Sequence, residues 1–208
     1  MAKAKEAPYP LKAKFKDWRL NECVTMDEFG PLPCRSLDGE RYYISFCERK
    51  SRALFTFLLH RKNQALDAFR RVKLYLENRT ERKIKMLYGD NANEFTDKSF
   101  MAFLDQNGIE WRSTVPYSST QNSLAERGHL TIMNSARAML LHARLSKRFW
   151  GPAVLHATHA YNLCPHPLDP SITLHEILTR SKPDIRYLLA YVRLRCVCVD
   201  SCCIADQD

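Results

Sequence analysis

Short runs of apolar residues, spaced by polar or turn-forming segments, set the order of elements along this chain. Cys23-Val24-Thr25-Met26-Asp27 predicts a first strand, ended by Gly30-Pro31. Two runs rich in aromatic and β-branched residues, Arg41-Tyr42-Tyr43-Ile44-Ser45-Phe46-Cys47 and Leu54-Phe55-Thr56-Phe57-Leu58-Leu59, predict two more. The polar Glu48-Arg49-Lys50-Ser51 joins them as a hairpin turn. The period then changes. Ala65, Phe69, Val72 and Leu76 recur at helical spacing and predict a helix over 63–77. Lys83 to Tyr88 alternates like a strand, Phe100, Phe103 and Leu104 mark a helix over 96–107, and Gly108 is its expected left-handed cap. Ile109-Glu110-Trp111-Arg112 predicts a short strand.

A polar loop over 116–122 is then expected to lead into a helix beginning at about Glu126, with Leu130, Met133, Ala136 and Leu140 along its inner face. Another helix is expected over 149–163, with Pro152 tolerated in its first turn. Pro165, Pro167 and Pro170 interrupt helix formation, a last short helix is expected over 171–180, and Val192 to Val199 reads as a strand. Strands followed by alternating helices and strands imply an α/β layered domain.

Composition narrows the class. At 208 residues, 45% hydrophobic and 26% charged, the chain is long enough for one full core. No run of 18 apolar residues is present and Met1 to Glu6 lacks the apolar core of a signal peptide, so the expectation is no membrane span and a place in the nucleus or cytoplasm. Residues 1–20 hold six Lys/Arg against two acids and read as a basic disordered arm. Residues 21–185 read as the folded core, and 186–208 as a truncated extension with a Cys-rich tail. The net charge of +9 favours a polyanionic partner, because phosphate contacts release condensed counterions; a solvated basic surface is the plain alternative. Eight cysteines without a Cys-x-x-Cys pair read as free thiols, and the tail group Cys196, Cys198, Cys202 and Cys203 has irregular spacing for structural zinc.

Three carboxylates stand in distinctive local contexts: Asp27 in Asp27-Glu28-Phe29-Gly30-Pro31, Asp90 in Asp90-Asn91-Ala92-Asn93-Glu94-Phe95, and Glu126 in Gln121-Asn122-Ser123-Leu124-Ala125-Glu126-Arg127. With Pro116-Tyr117, Ala136-Arg137-Ala138-Met139-Leu140, Phe149-Trp150, Tyr161-Asn162 and Lys182-Pro183-Asp184, these segments resemble the integrase catalytic core of copia-type long-terminal-repeat retrotransposons. The resemblance runs from about Asp27 to Val199. It implies a ribonuclease-H-like fold, a mixed sheet flanked by helices, with Asp27 and Asp90 on adjacent strands and Glu126 on a helix beside them. It implies two Mg²⁺ (or Mn²⁺) ions held by Asp27, Asp90 and Glu126, since hard cations take oxygen ligands and paired ions about 3.5–4 Å apart serve phosphodiester chemistry. It implies trimming of DNA 3′ ends and strand transfer, a homo-oligomer that joins two DNA ends, and DNA contacts from Tyr117, Gln121, Asn122, Arg127 and Arg137.

Each of these residues also has a plainer reading. Asp27 before Gly-Pro fits a turn, and Asp90-Asn91 an Asx turn. Ser123-Leu124-Ala125-Glu126 fits a helix capping box. Arg137 fits a buried salt bridge between helices, 116–122 an ordinary loop, and His156 and His159, near Cys164, ordinary helix histidines rather than zinc ligands. The chain also departs from the family pattern, with Ala92 and Asn93 in place of two glycines and Ser123 in place of another. Two other functions therefore stand beside the integrase: a catalytically inactive or domesticated DNA-binding remnant, and a structure-selective nuclease of the same fold.

Overall fold

A computed structural model describes residues 18–89, 98–113 and 119–186, with side chains omitted for 119–126. Three strands come first, β1 (Cys23–Phe29), β2 (Tyr42–Glu48) and β3 (Leu54–Leu59). They are followed by α1 (Ala65–Thr80), β4 (Met86–Gly89), α2 (Lys98–Gln106) and β5 (Glu110–Ser113). Two more helices, α3 (Ser119–Ala143) and α4 (Trp150–Asn162), form the layer on the far face. A two-stranded ribbon, β6 (Pro165–His166) with β7 (Asp169–Thr173), leads to α5 (Leu174–Thr179).

The main sheet has the order β3-β2-β1-β4-β5. β1 is antiparallel to β2 and parallel to β4, while β4 is parallel to β5, so the sheet is mixed. Each β4 partner of β1 carries the β1 number plus 63: Cys23 with Met86, Val24 with Leu87, Thr25 with Tyr88.

Strand alternation sorts β1 and β2 onto two cores. Val24, Met26, Ile44 and Phe46 pack against Ala68, Phe69, Val72 and Leu76 of α1, Phe100 and Leu104 of α2, and Leu174 and Leu178 of α5. Phe69 is the hub, with its ring 5.8 Å from Phe46 and 5.9 Å from Phe100. Tyr43, Cys47 and Leu54 face the other way, against Ile132, Met133 and Ala136 of α3 and Trp150, Ala153, Val154 and Ala157 of α4. Each large side chain so buried contributes about 1.5–3 kcal/mol of hydrophobic stabilisation, which is what fixes the two helical layers on the sheet.

Glu48 holds the hairpin turn together. Its fully buried carboxylate accepts from the backbone amides of Asn21 (3.0 Å), Lys50 (3.2 Å) and Ser51 (2.7 Å), and from the Ser51 hydroxyl (2.7 Å). Gly108 adopts φ +65° after α2, the left-handed cap expected from its position. Trp18, at the start of the described chain, is buried with Cys23 and Met86 at the foot of β1 and β4.

Three local expectations are corrected. α3 begins at Ser119 rather than near Glu126, so Gln121 and Asn122 lie in a helix, not a loop. No proline or glycine stands between 119 and 127, and polar residues lower helix propensity by only a few tenths of a kcal/mol each. The inner face of α3 is His129, Ile132, Met133 and Ala136, whereas Leu130 is 61% exposed. The segment 169–173 is a strand, and α5 starts only at Leu174, where Thr173 and Glu176 form a capping box. The expected strand from Val192 to Val199 lies outside the described residues.

Candidate active site

Asp27 is the fifth residue of β1, half-buried and paired with Ser45 of β2. A turn role for it is ruled out, because the strand continues to Phe29 and turns only at Gly30. Its neighbours show which way it faces. Glu28 meets Lys62, just before α1, at 3.2 Å, so Glu28 lies on the α1 side. Phe29 packs on Tyr43 and His129, so Phe29, and with it Asp27, lies on the α3 side. Asp27 thus stands toward the carboxyl end of the central strand, on the face covered by α3.

The best-defined feature beside it was not legible in the sequence. Tyr43 and His129, both buried, stack with ring centroids 4.9 Å apart and an interplanar angle of 9°. The Tyr43 Oη lies 2.7 Å from His129 Nε2, within hydrogen-bond distance. Phe29 packs on both rings, 4.4 Å from the imidazole and 5.6 Å from the phenol between centroids. Burial lowers the His129 pKa to about 4, so the ring is neutral at physiological pH. Burial also pushes the Tyr43 phenol far above its ordinary range; the Asp27 carboxylate raises it further and the Arg137 guanidinium opposes it. Asp27 and Arg137 therefore both act electrostatically on one buried phenol. The signal available was a histidine at the i and i+3, i+4, i+7 spacing of Ile132, Met133 and Ala136, which reads as polar and so was passed over.

Arg127 and Arg137 are exposed on α3, which removes the buried-salt-bridge reading of Arg137. Glu126 lies within α3, eighth from its start, with Gln121 and Asn122 in the preceding turns; their side chains are outside what is described. The capping-box reading of Ser123 and Glu126 fails, because Ser123 is inside the helix and not at its N-cap. Asp90 and Tyr117 lie outside the described residues, as does the Cys-rich tail. Gly89, the last residue of β4, is tightly enclosed: a Cβ there would lie 2.5 Å from Trp111 Cη2 and 3.1 Å from Met26 Cγ. Among the described residues no group of three or more His, Cys, Asp or Glu is placed to hold a metal, His156 and His159 included.

A protein-family model described as "Integrase core domain" matches residues 19–119. These residues belong to the integrase core family. The chain is 35% identical over 144 residues to the retrovirus-related Pol polyprotein from transposon TNT 1-94 of Nicotiana tabacum, covering 69% of this chain and 11% of the polyprotein. It is 34% identical over 136 residues to the Pol polyprotein from transposon RE2 of Arabidopsis thaliana, covering 65% of this chain and 9% of the polyprotein. The chain thus spans about a tenth of the length of these relatives. Among solved structures, the HTLV-2 integrase catalytic core domain in complex with magnesium aligns with a TM-score of 0.59 at 16% identity, over 78% of this chain and 99% of that one. A chain of the simian T-cell lymphotropic virus intasome in complex with PP2A regulatory subunit B56 gamma aligns with a TM-score of 0.61 at 14% identity, over 79% of this chain and 57% of that chain. The ribonuclease-H-like fold and the resemblance to copia-type integrase cores, both expected from the sequence, are borne out.

Proposed function

We propose that this integrase core performs metal-dependent DNA 3′-end processing and strand transfer, with Asp27, Asp90 and Glu126 as the metal-holding carboxylates. The observation that carries this reading is the placement of Asp27 on the α3 face of the central strand, beside a parallel strand whose offset of 63 equals the separation of Asp27 and Asp90. That offset supports a side-by-side arrangement of the two aspartates. The presence of Glu126 in α3, the helix packed on this face, supports the third ligand.

The donor set fits Mg²⁺ or Mn²⁺: three carboxylates offer the hard oxygen atoms these ions require. Two bound ions would acidify the attacking water or 3′-hydroxyl and offset charge on the leaving oxygen. The chain's own contribution is geometric and electrostatic. β1 carries Asp27 and α3 carries Glu126, and the buried Tyr43 and His129 lie beside Asp27. Arg127 and Arg137, exposed on α3, are proposed to grip the phosphate backbone, with Tyr117, Gln121 and Asn122 contacting the DNA end. DNA is the proposed partner, and the net charge of +9 supports it. A homo-oligomer is proposed as the working form, because two DNA ends must be joined together. The dimeric and trimeric forms named for the HTLV-2 core support this. The proposed place of action is the nucleus or cytoplasm.

A strand-transfer assay on labelled duplex ends with Mg²⁺ or Mn²⁺ tests the reading, comparing wild type with Glu126→Gln. Metal-dependent joining that disappears in the variant is expected. A folded protein that binds DNA without joining it would instead be a DNA-binding remnant.

A further inference from the structure

Outside the three carboxylates, the described residues on the α3 face of the sheet include a buried polar pair, Tyr43 and His129. Three independent features mark it. The phenol and imidazole are sequestered from solvent, at 0% and 4% exposure, yet their polar atoms meet at 2.7 Å. The imidazole closes a three-ring cluster with Phe29 of β1 at 4.4 Å and Tyr43 of β2 at 4.9 Å, the two sheet rings themselves lying 5.6 Å apart. Just before it, Gly128 lets α3 approach the sheet closely, since a Cβ there would lie 2.9 Å from Leu54 Cδ1.

A purely apolar contact would bury α3 equally well but would let the helix slide or rotate by a fraction of a turn. A hydrogen bond between two stacked, buried rings does not, because any displacement leaves a phenol and an imidazole unsatisfied away from water. His129 follows Glu126 by three residues, less than one turn, and Phe29 follows Asp27 by two along β1. The pair thus ties the helix that carries Glu126 to β2, and Phe29 carries the same imidazole's contact to β1, the strand of Asp27.

We infer that Tyr43 and His129 are positioning residues, whose buried hydrogen bond sets the register of α3 on β2, and through the β1–β2 ladder and Phe29 on β1, and so the geometry of the divalent-cation site. This rests on the metal-site reading above and deepens it. Neither residue need touch metal or DNA. Sub-ångström placement is what a two-carboxylate or three-carboxylate site demands of its scaffold.

The test uses the full chain with Mn²⁺ as probe. Tyr43→Phe removes one hydroxyl and keeps the ring; His129→Leu keeps approximate bulk without polar atoms. Both are expected to lower Mn²⁺ affinity about tenfold and the turnover of DNA joining comparably, with KM for DNA within about twofold of wild type. Amide hydrogen exchange is expected to accelerate in 119–129 and not in α1 or β3. The double variant is expected to lose no more than either single one, because both remove the same bond. Tyr43→Phe with wild-type Mn²⁺ affinity and wild-type exchange would overturn the inference, as would strictly additive losses. Asp27→Asn separates the two levels. If it abolishes Mn²⁺ binding while Tyr43→Phe leaves it intact, only the positioning role falls. If Asp27→Asn binds Mn²⁺ as wild type does, the metal site falls and the positioning role with it.

Discussion

Acidification should destabilise this fold through His129 in a predictable way. The imidazole is 4% exposed, packed on Phe29 and Tyr43, and burial lowers its pKa from 6.5 to about 4. Above pH 6.5 neither the folded nor the unfolded chain is protonated there, and the full stability is present. Between 6.5 and about 4 the unfolded chain takes up a proton that the folded chain refuses. Stability therefore falls as pH falls through this window, by up to about 1.4 kcal/mol per pH unit and about 3 kcal/mol in all. His156, His166 and His175 have pKa values lowered by burial as well and act in the same direction, so the His129 share must be isolated by difference. Urea unfolding of wild type and His129→Gln at pH 7.0, 6.0 and 5.0 does this. Wild type is expected to lose roughly 2 kcal/mol more than the variant between pH 7 and pH 5. Parallel curves, or a His129 ring that titrates near 6.5 by NMR, would refute the reasoning.

Three further substitutions probe the scaffold around the site. Glu48→Ala leaves the amides of Asn21, Lys50 and Ser51 without their acceptor and should cost about 3 kcal/mol or more in urea unfolding; a loss under about 1 kcal/mol would mean that water replaces the carboxylate. Gly30→Ala forces a side chain onto φ +136° with its Cβ 2.7 Å from the Arg41 carbonyl oxygen, and should lower stability by about 2–4 kcal/mol, read as a fall in Tm; an unchanged Tm would contradict the close approach. Gly89→Ala drives a methyl into Trp111 and Met26 directly before Asp90, so Mn²⁺ affinity and DNA joining should fall together by about tenfold or more while the far-UV dichroism spectrum persists; loss of neither would separate the end of β4 from the metal site.

The sheet was readable because its determinants are local. Aromatic and β-branched runs located β2 and β3, and the strand that follows the α1 periodicity located β4. The start of α3 was not readable, because Ser119 to Asn122 carry loop-like residues whose weak propensity is overridden by the packing of a 25-residue helix. The β6–β7 ribbon was hidden for the opposite reason: prolines at 165, 167 and 170 signal only that a helix stops, not that a short edge pair replaces it. Within the candidate site, the three carboxylates came from ordered motif spacing, and strand alternation puts Asp27 and Glu28 on opposite faces without saying which face meets α3. The Tyr43–His129 pair was illegible for a physical reason. A hydrogen bond between residues 86 apart depends on tertiary contact, and periodicity analysis counts histidine as a surface residue. Glu48 escaped in the same way, since a buried carboxylate is recognisable only by the amides gathered around it.

The central claim is that Asp27 anchors a divalent-cation site between β1, the residue after β4, and α3. Crystals of the full chain soaked in Mn²⁺ and measured at the manganese absorption edge test it most directly. The account predicts anomalous density within ordinary coordination distance of the Asp27 carboxylate, about 2–2.3 Å, with Asp90 and Glu126 completing the oxygen ligands. Anomalous density confined to other carboxylates, or none at Asp27 at saturating Mn²⁺, would contradict it.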